Sequence, residues 1–132
     1  MTRWVESLVG IYNAKGSLMG ELQYVVGKML GSAHCALCDI SHRGIGEKAE
    51  FRACRSEIPV PFEVVHLDER PDDLVGLTQG KTPCVVAWGE GEAYILLDAA
   101  QLETCGGDVA AFRRLLDDVM AQRGLVFRES GL

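Results

Sequence analysis

The run Pro83-Cys84-Val85-Val86-Ala87-Trp88 carries no charged side chain. A strand that is apolar on both faces needs cover on both, so it belongs inside a layered fold. Gly89-Glu90-Gly91 reads as a three-residue turn, after which Tyr94-Ile95-Leu96-Leu97 returns the chain. The expectation is an antiparallel hairpin pairing 84–88 with 93–97. Two further strands, 8–12 and 62–67, are expected to run parallel within one four-stranded sheet.

Helical stripes separate these strands. Ser17 is placed to cap a helix whose apolar positions are Leu18, Leu22, Val25, Val26 and Met29, and Gly31 suits its end. Residues 47–57 repeat the pattern through Phe51, Cys54 and Ile58, with Pro59 and Pro61 marking the exit. Pro71 at the first helical position, followed by Asp72 and Asp73, opens a short helix to about Leu77. A turn or short helix follows Asp98 and stops at Gly106-Gly107. Asp108 then caps a last helix with Val109, Phe112, Leu115, Leu116 and Val119 inward. The order β-α-(Cys/His segment)-α-β-α-β-β-α is an α/β chain, expected to form a single domain over 1–132. The Cys/His-containing segment is an insertion at about 32–58.

At 132 residues with 48% hydrophobic and 24% charged side chains, the chain can bury a real core. Its net charge of −6 and the lack of a Lys/Arg cluster argue against nucleic acid as a partner. No apolar run has the length of a membrane span, and Met1-Thr2-Arg3-Trp4-Val5-Glu6 does not resemble a secretion signal. A cytoplasmic location without membrane association is expected. Five cysteines in that setting point to free, metal-bound or redox-active thiols rather than a disulfide framework.

Reactive side chains concentrate in His34-Cys35-Ala36-Leu37-Cys38-Asp39-Ile40-Ser41-His42. If 35–42 is helical, Cys35, Cys38 and His42 share one face. Two chemistries fit the Cys-x-x-Cys spacing. In a redox pair, Cys35 is the nucleophile, Cys38 resolves, and His42 is a proton acceptor or electrostatic partner. Such a pair calls for an exposed Cys35 with a lowered pKa. In a zinc site, Cys35, Cys38 and His42 are ligands and a fourth comes from elsewhere, with Cys54, His34 or Cys105 available. A third reading makes the thiols incidental in an interaction module.

The remaining candidates are weaker. Cys84, Cys54 and Cys105 read first as core or boundary residues, and His66 as a hydrogen-bonded histidine. Tyr12 and Asn13 end the first strand, where α/β folds place ligand contacts. Gly80-Lys81-Thr82 imitates the end of a phosphate-binding loop, but position 75 is Val and Pro83 follows where a helix must continue. Specific nucleotide binding is therefore not expected. The acidic stretch Asp68–Asp73 lacks the calcium-loop pattern and reads as a solvated turn.

The element order, the Cys-x-x-Cys and Thr82-Pro83 before the hairpin make the chain similar to the thioredoxin-like superfamily. That resemblance implies a central mixed four-stranded sheet flanked by helices, a cis bond at Pro83, and thiol–disulfide exchange with a protein or a small thiol or disulfide partner. The chain also looks like a family of uncharacterised small bacterial proteins, which implies no activity. One departure stands out. Thioredoxin-like enzymes carry the dithiol directly after the first strand, whereas here a helix intervenes. About 14 helical residues span about 20 Å. A straight first helix would start Cys35 near the pole opposite Pro83.

Overall fold

The computed structural model describes residues 3–13, 35–43 and 46–128. The helix expected over 17–31, His34 and the Gly44-Ile45 break lie outside them. Four strands form a mixed sheet: β2 (Ser7–Ile11), β5 (Phe62–Val65), β6 (Cys84–Gly89) and β7 (Glu92–Leu97), in the order β5-β2-β6-β7. β2 and β5 are parallel, with Leu8 opposite Phe62. β6 is antiparallel to both β2 and β7. The Thr82–Pro83 peptide bond is cis. The β2–β5 and β6–β7 pairings are those that the apolar runs called for.

The period of two in a strand sends alternate residues of β2 and β6 to opposite faces. Leu8, Val85 and Ala87 join the larger core, under α1 (Ala36–Ser41), α2 (Ala49–Glu57) and α5 (Val109–Gln122). Val9, Ile11, Cys84 and Val86 join a smaller core with Leu74 of α3 (Asp72–Thr78). Cys84, Val85, Val86 and Ala87 are all fully buried, which is why β6 tolerates no polar residue on either side. α4 (Ala99–Glu103) contributes Leu102, and α5 is capped as expected, Asp108 accepting the Ala111 N–H at 3.0 Å.

Several boundaries differ from the sequence reading. The hairpin turn is two residues, Glu90 and Gly91, with φ of 55° and 80°. A tight hairpin with positive φ at both positions matches the right-handed strand twist, so Gly89 stays in the strand. α2 begins at Ala49 because Glu47 belongs to a short pairing of β3 (His42–Arg43) with β4 (Gly46–Glu47). Pro71 is the cap of α3 rather than its first residue. β5 stops at Val65, because His66 turns to cap the 3-10 turn Leu67–Glu69.

β1 (Arg3–Val5) and β8 (Leu125–Phe127) form a separate parallel pair that the sequence reading did not anticipate. Each has only three residues, too short for a legible alternation. The pair abuts β6 through the Glu6 N–H on the Trp88 carbonyl at 2.7 Å. Gly89 is what permits the approach, since a Cβ there would collide with the Trp4 carbonyl oxygen. Gly89→Ala is therefore expected to cost about 1–3 kcal/mol. Urea unfolding should show a lowered midpoint, and hydrogen exchange should show lost protection in β1. An unchanged midpoint would mean that β1 contributes nothing to stability.

Candidate functional site

The chain leaves β2 through Tyr12 and Asn13, and Cys35 lies beside that exit. The Asn13 N–H donates to Cys35 Sγ at 3.4 Å. Ile11 is opposite Cys84 in the β2–β6 register, and the Thr82 hydroxyl donates to Asn13 Oδ1 at 3.0 Å. Cys35 and the Thr82–Pro83 loop therefore share one end of the sheet. The opposite pole, where a straight first helix would have started Cys35, is not where it lies. At Cys35 the chain is beside the point where it left β2 at Asn13.

Cys35 is also the cap of α1. Its backbone is extended, and its sulfur accepts the Cys38 N–H at 3.3 Å, much as a Ser or Asp would at such a position. Its pKa is lowered from 9.0 to about 7. The largest contribution is a hydrogen bond from the Cys38 thiol; burial opposes it, and the N–H groups of Asn13, Cys38 and Leu37 add to it. Donors aimed at a sulfur favour its charged form. Neither thiol is in a disulfide, and Cys35 is 0% and Cys38 7% exposed. The lowered pKa meets the requirement of a redox pair, whereas the expected exposure of Cys35 does not hold.

His42 is not on the helical face with the two cysteines. α1 ends at Ser41, and His42 is extended as the first residue of β3. Its ring turns instead to two hydroxyls. Nδ1 lies 2.7 Å from Ser41 Oγ and 3.2 Å from Tyr12 Oη, and those oxygens are 2.7 Å apart. Ser41 is 0% and Tyr12 4% exposed. Burial, then the Ser41 hydrogen bond in opposition, and then charge on Cys38 and Cys35 act on the Tyr12 phenol, with a net upward shift. The Tyr12 ring also meets the His66 ring edge-on at 5.1 Å, and His66 Nδ1 is 2.7 Å from Glu69 Oε1. The sequence reading did not single out Ser41 or Thr82 as site members. Ser41 gave no signal of its own, while Tyr12 and Asn13 were marked by the strand end.

Cys54 and Cys105 share the larger core with this pair, whereas Cys84 belongs to the smaller one. Cys54 packs with Phe51 in α2, and Cys105 follows α4. Burial raises the pKa of both. Cys84 lies on the far face of the sheet, and burial pushes it up to about 11. Among the described residues, no three His, Cys, Asp or Glu side chains are grouped to hold a metal ion. Cys35, Cys38, His42 and Cys54 are not brought together as a zinc ligand set. Among the described residues, no helix is long and apolar enough to cross a membrane.

No protein-family model, characterised protein or solved structure matches this chain.

Proposed function

We propose that this is a thioredoxin-like protein whose Cys35 and Cys38 carry out thiol–disulfide exchange with a protein or small-molecule disulfide. The observation that carries this reading is the Cys35 sulfur, which accepts N–H groups from Asn13 and Cys38 and has a pKa near 7. A thiolate is the nucleophile in exchange, and one populated near neutral pH attacks fastest there. The place of the pair supports the same reading: it follows β2 at the sheet end where Thr82 and Pro83 lead into β6.

The reaction has two steps. The Cys35 thiolate attacks one sulfur of the partner disulfide, a Cys35–partner bond forms, and the other partner sulfur leaves as a thiolate. Cys38 then attacks Cys35 Sγ, closes the Cys35–Cys38 disulfide and expels the second partner thiolate. The partner gains two electrons and the protein loses two. Because Cys35 is wholly buried, local opening must precede the first attack.

Oxidised glutathione tests the scheme under mass spectrometry. The wild-type chain should lose two hydrogens and retain no adduct. The Cys38→Ser variant should retain one glutathione on Cys35. Absence of a Cys35–Cys38 disulfide in the wild type, or equal labelling of Cys54 and Cys105, would overturn the reading.

A further inference from the structure

We propose that Tyr12, Ser41 and His42 form a hydroxyl–imidazole relay that accepts the Cys38 proton during the resolving step. This rests on the exchange reaction proposed above and assigns to it a part that the cysteines do not supply. In the reduced protein the Cys38 thiol donates to the Cys35 sulfur, which uses its proton well. Once Cys35 is bound to a partner, that sulfur is no longer an anion. Cys38 must then lose its proton to another group as its electron pair forms the new S–S bond.

Ser41 is the candidate that its position on α1 offers. It is three residues beyond Cys38 on α1, so the two side chains lie on the same side of the helix. Its hydroxyl also reaches back to the Cys38 carbonyl at 3.5 Å. Its one proton has a better acceptor in His42 Nδ1, at 2.7 Å. When Ser41 passes that proton to Nδ1, its oxygen takes the Cys38 proton, and the hydroxyl is restored. The imidazole ends protonated and the leaving partner carries the thiolate charge, so atoms and charge balance.

Tyr12 is the positioning residue. Its buried phenol lies 2.7 Å from Ser41 Oγ, and the two sulfurs are close enough for their charge to act on it. Burial and that charge keep the phenol protonated at neutral pH, so it holds the serine oxygen without taking the proton itself. Other titratable groups surround the imidazole. Glu47 of β4 is its register partner but is held by Arg52 at 3.2 Å and Arg55 at 2.8 Å. His66 meets the Tyr12 ring edge-on and is paired with Glu69 at 2.7 Å.

The test separates the two thiol steps. Reduced protein is mixed with oxidised glutathione, quenched in acid at intervals, and weighed, so that adduct formation and closure are timed independently from pH 5 to 9. In the wild type, closure should accelerate with rising pH through an inflection set by the imidazole. In His42→Gln and Ser41→Ala, that inflection should vanish and closure at pH 7 should slow about tenfold or more, within the usual effect of general-base catalysis. Alkylation of Cys35 should keep its pH profile in both variants. A His42→Gln variant that closes with the wild-type profile would overturn the relay, while a wild type that never closes would overturn the exchange reading instead. Should either variant fail to fold, closure of the wild type in mixtures of light and heavy water decides. Two protons in flight give a curved rate dependence on deuterium fraction, and a straight line would sink the proposal.

Discussion

Cys35→Ser is expected to abolish disulfide exchange at this site, because it removes the thiol whose pKa is lowered to about 7. At pH 7 a thiol with a pKa near 7 is about half ionised, whereas one at 9.0 is about 1% ionised, a difference of about fifty-fold. Iodoacetamide labelling of the reduced wild type should therefore inflect near pH 7 at Cys35. Cys84, pushed up to about 11, should remain slow across the same range. Cys38→Ala removes the largest stabilising contact on the Cys35 thiolate and should move its inflection up towards 9.0. Labelling of wild-type Cys35 that inflects near 9 would refute the assigned role of these donors.

The same shift has a stability counterpart. The folded pKa of Cys35 is depressed, so its contribution is fully present above about pH 9 and is lost as pH falls through about 7. Between pH 6 and pH 8 this amounts to about 1 kcal/mol for a shift of about two units. Reduced wild type should gain that much over Cys35→Ser across the interval. Comparing the two proteins cancels the thiols of Cys54, Cys84 and Cys105, which shift the other way.

The sheet was legible because its signal is local. Pro83 to Trp88 is apolar at every position, and only a strand covered on both faces explains that run. β1 and β8 were not legible, since their pairing joins the two ends of the chain and rests on a clearance at Gly89. The site divides in the same way. Cys35 and Cys38 announce themselves by spacing, and Tyr12 and Asn13 by ending a strand. The Cys38 thiol makes the largest contribution to the lowered Cys35 pKa, and the N–H of Asn13, 22 residues away in sequence, adds to it. His42 was given a helical position that it lacks, because nothing in Asp39-Ile40-Ser41-His42 marks the helix end; the β3–β4 pairing ends it. Backbone donors carry no residue signature, so the electrostatics of the pair became visible only with the fold.

Phe112→Ala is expected to be the most destabilising single change in the core. Phe112 of α5 is fully buried, and its ring lies 6.0 Å from Phe51 of α2 and 6.2 Å from Phe62 of β5. Phe51 and Phe62 are themselves 6.0 Å apart, edge to face. Each ring comes from a different element, so the triad joins the two helices to the sheet edge. Removing the central contact of α5 loses ring burial and leaves a cavity that α2 and β5 cannot both close. Such changes cost about 3–5 kcal/mol. Against a total of about 5–15 kcal/mol for a domain of this size, that is a large share. Urea unfolding followed by circular dichroism should show the midpoint fall with little change in slope. Phe112→Leu, which keeps most of the volume, should recover more than half of the loss. Equal destabilisation by both variants would show that ring contacts, rather than filled volume, hold α5 to the sheet.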